Sequence, residues 1–301
     1  MTTNDPQALP VGGPPPGRWA FPAMIVGSVV LAFGPWLVRL ADVGPLASAF
    51  WRQLLAVPFL FLLVRLVGGP SAAFVADRRA LWLALLAGVA LGIDLGFWHL
   101  AIVRTTLANA TLLANSATFL LPLYAFVALG LRPTRMQWWA LAAAAAGVAL
   151  LLGRSADLSA RHLAGDLLCL GAALFYTAYL VGIEKARGQL EALPALALAT
   201  LSAGIALAPL ALLEGAFWPQ DWTPILALAI GSQVIGQGLV VYAVRHLQPL
   251  VVGLALLVQP VISATIGALR FGEVPGRWEL GGAVLVLAAL VIARLPAREK
   301  T

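Results

Sequence analysis

The sequence predicts an all-α integral membrane protein of about ten transmembrane helices, arranged as two inverted five-helix repeats around a central cavity. Three observations predict it. The chain is 61% hydrophobic and only 11% charged, with a mean hydropathy of +0.93. A soluble domain is about 45–50% apolar and about a quarter charged, so too little charge is present to cover a water-facing surface. The apolar runs are about 20 residues long and do not alternate, which selects spanning helices over barrel strands. Finally, features recur at equivalent places in the two halves.

The expected spans are 20–40, 45–67, 80–102, 107–129, 136–153, 163–182, 194–213, 222–242, 249–270 and 276–295. The fifth is short, but Leu141 to Leu152 carries no charge. Residues 1–19 and 296–301 read as cytoplasmic tails, the first polar, rich in Pro and Gly, disordered and without a cleavable signal. Residues 20–154 form the first repeat and 155–295 the second. Orientation follows from the basic residues. Twelve fall on the side of the amino terminus and six on the other, with Arg52 inside a span completing the total of 19. The positive-inside rule then places both termini in the cytoplasm. Seventeen Arg against two Lys points to a GC-rich bacterial genome, hence to the bacterial inner membrane.

The repeat rests on pattern. Phe97 to Arg104 closes the third span, as Val240 to Arg245 closes the eighth. The next span in each half carries a proline, Pro122 and Pro260, and each is followed by a basic, Trp-containing helix entry. A repeat of five spans is odd, so the second copy inserts upside down, with the binding site near the midplane between the copies. Gly34-Pro35 bends the first span, and Gly88, Gly92 and Gly96 let helices approach closely.

Other function classes are excluded by what the sequence lacks. The net charge of +6 is scattered between apolar runs, so nucleic acid is not a partner. The single Cys169 excludes an internal disulfide and a cysteine metal cage. No phosphate loop, HExxH helix or nucleophile elbow is present, and no second mid-span acid accompanies Asp94. No cofactor or enzymatic activity is expected.

Several stretches resemble the drug/metabolite transporter superfamily, specifically its EamA-type members. Ala49-Phe50-Trp51-Arg52-Gln53-Leu54-Leu55-Ala56 is similar to the family's aromatic-Arg-x-x-x-Ala entry. The alanine-containing ends of spans three and eight also match, as does Gln259-Pro260 followed by Phe271-Gly272-Glu273. The first half departs from the pattern, with Leu131-Arg132-Pro133-Thr134-Arg135 where the Gly-Glu turn belongs. The resemblance covers about 20–295. Trp98-His99-Leu100-Ala101 and Thr111-Leu112-Leu113-Ala114-Asn115 bring it nearest to the YddG-type aromatic amino acid exporters. It implies a monomeric secondary transporter in contact with membrane lipid, exporting aromatic and other bulky neutral amino acids, with protons as a candidate coupling ion. The alternatives are a transporter of a different small solute, an intramembrane enzyme or a passive channel.

Candidate binding residues are Asp94, Trp98, His99, Thr111, Asn115, Tyr179, Gln233 and Gln237. A carboxylate at mid-span costs about 2.5–3.5 kcal/mol on insertion scales, so Asp94 should face a cavity or a partner. Trp98 shares its face at i+4, whereas His99 lies some 140° around the helix. His99 either senses protons or is hydrogen-bonded near the helix end. Thr111, Asn115 and Thr118 form one polar stripe that either lines a cavity or joins helices. Gln233 and Gln237 form a second i, i+4 pair, and with Gln259 they suit a zwitterion because amides both donate and accept. Tyr176 and Tyr179 lie inside spans and suit stacking. Arg52 reads as mainly architectural.

Overall fold

In the computed structural model the described residues are 19–72, 77–117, 119–120, 123–124, 127, 135–244, 246–247, 255–256 and 258–292. Among them every regular element is helical. Lipid offers the backbone no hydrogen-bond partner, and a helix satisfies its own N–H and C=O groups. The helices are α1 (Ala20–Ala32), α2 (Gly34–Leu40), α3 (Pro45–Ala72), α4 (Arg78–Ile102), α5 (Leu107–Ala114), α6 (Arg135–Leu158), α7 (Ala160–Ala186), α8 (Ala192–Ala211), α9 (Thr223–Ala227), α10 (Gln237–Val244), α11 (Val258–Phe271) and α12 (Arg277–Ile292). A π-helical segment, Leu228–Gly236, joins α9 to α10.

Six stretches among the described residues are long and apolar enough to cross a membrane: Ala20–Leu40, Pro45–Leu66, Arg78–Ile102, Ala160–Ala186, Ala192–Ala211 and Thr223–Val244. They coincide with the first, second, third, sixth, seventh and eighth expected spans. Helices α5, α6, α11 and α12 fall on the remaining four. Thr118, Pro122, Leu131 to Thr134, Arg245 and both tails lie outside the described residues.

Local sequence explains where helices start and stop. The first span is interrupted at Phe33, where Gly34-Pro35 opens a new helix, since proline cannot supply the hydrogen bond that continuity requires. The Asp77 carboxylate caps α4, accepting from the Ala80 amide at 2.7 Å. That bond holds Asp77 below the usual carboxylate range. Thr106 caps α5 and Ser159 caps α7 in the same way. Gly272, with φ of +65°, turns the chain out of α11, a conformation open to glycine at no steric cost.

Without a hydrophobic drive between helices in lipid, close packing falls to small residues. A Cβ at Gly88 would lie 2.2 Å from the Ala199 carbonyl oxygen, and one at Gly92 would lie 2.8 Å from that of Ala203. Thus α4 and α8 touch backbone to backbone. Ser202 reinforces the crossing by donating to the Leu85 carbonyl at 2.8 Å. Gly147 on α6 and Gly282 on α12 face each other likewise. The outer surface carries exposed Leu, Val and Trp, including Leu66, Leu213, Leu269, Trp19, Trp82, Trp138, Trp139, Trp218 and Trp278. The Trp residues near span ends fit an interfacial belt. Trp222 departs from it, packing edge-on against buried Trp51 at 5.1 Å.

One end of the bundle is tied by an ion pair between Arg39 and Glu273. Arg39 also donates to the carbonyls of Ile102 at 3.0 Å and Thr105 at 2.6 Å. Glu273 accepts from the Leu107 amide at 2.8 Å, at the start of α5. Its carboxylate therefore serves two partners at once. We expect Glu273→Ala to lower stability by about 1–3 kcal/mol, because it orphans a half-buried guanidinium and a helix-end amide. A fall in Tm of the purified protein in detergent checks this. An unchanged Tm would show that water replaces both contacts.

Candidate functional site

A cavity of about 570 Å³ opens between helices of the two halves. That volume lies in the usual range for small-molecule sites. Its main wall is one face of α4, where Leu91, Asp94, Leu95 and Trp98 stand three and four residues apart. Facing them are Thr111, Ala114 and Asn115 of α5 and its end, and Tyr176 of α7. Leu31, Arg52, Gln237, Leu256 and Gln259 complete the lining. The floor is thus mixed, with apolar and aromatic side chains broken by a few polar groups.

Each wall residue is held by its own neighbours. The Trp98 indole N–H donates to the Ala110 carbonyl at 3.1 Å, which fixes its ring across the gap between α4 and α5. The Thr111 hydroxyl donates back to the Leu107 carbonyl at 2.8 Å, leaving its oxygen as an acceptor. Asp94 is 7% exposed, and no hydrogen bond to its carboxylate is present among the described residues. Arg52 is 3% exposed. Its Nη2 donates to Gln233 Oε1 at 3.1 Å, while Nε and Nη1 have no partner. Among the described residues no ion pair joins Arg52 to Asp94.

Of the residues expected from sequence, Asp94, Trp98, Thr111, Asn115 and Gln237 come together on the cavity. His99, Tyr179 and Gln233 do not line it. His99 turns toward α3, as its place around α4 requires, with Nδ1 2.7 Å from Ser48 Oγ. Ser48 in turn donates to the Pro45 carbonyl at 2.8 Å. This order assigns the Nδ1–H tautomer to His99. Tyr179 stands one layer back, its hydroxyl accepting from Gln237 Nε2 at 3.3 Å and its ring 5.7 Å from that of Tyr176.

Gln233 and Gln237 separate because the helix between them is not α. Four residues bring side chains to one face only at α-helical pitch, and Leu228–Gly236 is wound with i→i+5 bonds. Gln237 therefore reaches the cavity while Gln233 sits behind Arg52. Sequence reasoning underrated Arg52 at this site. It also passed over Asp166, a fully buried acid that accepts from Thr105 Oγ1 at 2.5 Å and Asn109 Nδ2 at 3.1 Å. The signal for both was present, since an ionisable residue inside a span is a site candidate by default.

Comparison with known proteins agrees with this geometry. The EamA-like transporter family matches the chain twice, over residues 18–153 and 163–295. A solved crystal structure superposes with a TM-score of 0.66, covering 93% of this chain and 97% of its own at 19% identity. At that identity the likeness is one of fold. A search of curated proteins returned no match. The double match spans nearly the whole chain, whose apolar helices enclose a solute-sized cavity, and so the chain belongs to the EamA-like transporter family, a family of multi-pass membrane transporters for small solutes rather than of enzymes.

Proposed function

We propose that this transporter exports aromatic and other bulky neutral amino acids from the cytoplasm by alternating access. The carrying observation is the cavity's charge: one buried cation, Arg52, and one buried anion, Asp94, line the same space without pairing. A zwitterion offers each its opposite. An unpaired charge in a low-dielectric interior is costly, and a solute that supplies the partner recovers that cost on binding. Asp94 takes the ammonium group, the amides of Gln237, Asn115 and Gln259 orient the solute, and Trp98, Tyr176 and the leucines hold its side chain.

The packing supports two inverted five-helix repeats, 20–154 and 155–295, making up ten spans. Helix α1 packs on α10 and the π segment as α7 packs on α4. Similarly, α3 meets the π segment as α8 meets α4, and α1 meets α11 as α7 meets α5. The remaining close pairs, α3 with α8, α5 with α11 and α6 with α12, each join one helix to its own counterpart. Contacts thus repeat when the halves are exchanged, as a rocking mechanism around a shared midplane site requires. Basic residues favour the side of both termini, which places them in the cytoplasm of a bacterial inner membrane. The solute's own gradient or a proton gradient drives the cycle, and the monomer is the working unit.

Counterflow of radiolabelled phenylalanine into proteoliposomes of the purified protein tests the reading, with empty vesicles alongside. Saturable counterflow is expected. Its absence from monodisperse, well-folded protein would overturn the amino acid assignment and leave a carrier of another small solute.

A further inference from the structure

We infer that Arg52 is the carboxylate-recognition group of the cavity, and that Gln233 is a positioning residue that holds it ready. The inference rests on the reading of the site as an amino acid carrier and fixes which end of the solute meets which wall.

The argument begins with the donors of one side chain. A guanidinium carries five N–H donors and cannot shed its charge. In water those donors are always met. Here Arg52 is 97% removed from solvent, and its Nε and Nη1 have no acceptor. A purely structural arginine at this depth would be expected to spread its donors over helix-end carbonyls, as Arg39 does with Ile102 and Thr105. Arg52 instead keeps two of its three nitrogens unmet in a residue that lines the cavity. A planar carboxylate, with two oxygens in one fork, is the group that suits such a donor set.

Gln233 explains how the guanidinium stays in place. Its Oε1 accepts from Arg52 Nη2 at 3.1 Å and from Gln53 Nε2 at 3.0 Å. Its Nε2 donates to Thr200 Oγ1 at 3.0 Å. A flipped amide would set its NH₂ against two other donors, so only one orientation satisfies the network. Three elements, α3, α8 and the π segment, are thereby locked onto one nitrogen of Arg52, and the other two are left for the solute. Asp94 stands in the same cavity out of ion-pair range. The solute therefore lies with its carboxylate toward α3 and its ammonium toward α4.

The test is competition against phenylalanine counterflow by two half-ligands, 3-phenylpropionate, which lacks the ammonium, and phenethylamine, which lacks the carboxylate. With Arg52→Gln, or Arg52→Lys should that variant fail to fold, inhibition by 3-phenylpropionate should weaken by about tenfold or more. Inhibition by phenethylamine should hold within about twofold, since Asp94 is untouched. Gln233→Met, which keeps length but loses both hydrogen bonds, should weaken the acid alone by about threefold to tenfold. If acid and amine weaken together, or neither changes, Arg52 is architectural and the inference fails. If the wild type shows no phenylalanine counterflow, the amino acid reading fails separately. The carboxylate site is then read from the Tm shift on adding 3-phenylpropionate. A shift lost in Arg52→Gln sustains the inference, and no shift in the wild type overturns it.

Discussion

Asp94→Asn is expected to lower phenylalanine counterflow by about tenfold to a hundredfold while leaving the protein folded. A hydrogen bond to a charged group contributes about 1.5–3 kcal/mol, and each 1.4 kcal/mol is about a factor of ten in affinity. The substitution keeps the shape and removes only the charge that would meet an ammonium group. Stability should not suffer. The carboxylate is 7% exposed and has no hydrogen-bond partner among the described residues, so neutralising it relieves a desolvation cost. Counterflow and Tm measured on the same preparations check both halves. Unchanged counterflow would remove Asp94 from the solute's path. A collapsed Tm would show that the carboxylate holds the bundle together.

Gly88→Ala should do the reverse, damaging the fold before any transport is measured. The added methyl would sit 1.9 Å from Ser202 Oγ, 2.2 Å from the Ala199 carbonyl oxygen and 2.6 Å from Ala199 Cα. Two of these are backbone atoms of a neighbouring helix, so no rotamer change relieves the clash and α4 must move off α8. Overpacking of a tight core costs about 1–3 kcal/mol, and more where backbone must shift. We expect the top of that range or beyond, seen as a large drop in Tm or as loss of a monodisperse peak. Gly281→Ala on α12 is the matched control. Nothing lies within 4 Å of its Cβ position, and alanine favours an exposed helix over glycine by roughly 1 kcal/mol. Equal effects at the two positions would show that α4 and α8 tolerate separation.

The parts of this molecule that were legible in its sequence are those governed by local periodicity. Apolar runs gave the helices, and Gly34-Pro35 gave the break in the first span. The α-helical repeat placed Asp94 with Trp98 and Thr111 with Asn115, and it turned His99 away from both. Contacts between distant segments left no such trace. Nothing in Trp51-Arg52-Gln53 announces that Gln233 and Thr200, well over a hundred residues on, will fix the guanidinium. The Gly272-Glu273 turn showed as a family feature, but its carboxylate reaching Arg39 and the Leu107 amide is a tertiary event. The split between Gln233 and Gln237 was hidden for a different reason. An i, i+4 pair implies a shared face only at α-helical pitch, and no residue in Leu228–Gly236 signals the wider winding.

That wider winding has a mechanical meaning. A helix wound with i→i+5 bonds holds slack relative to an α-helix of the same sequence, and one residue of slack corresponds to a rotation of about 100°. The slack lies between the amide that steadies Arg52 and the amide that faces the solute. Rewinding even one turn would swivel the two past each other without moving either end of the span. The eighth span is thus built as a swivel coupling, able to change what the cavity presents while its ends stay anchored in the bundle.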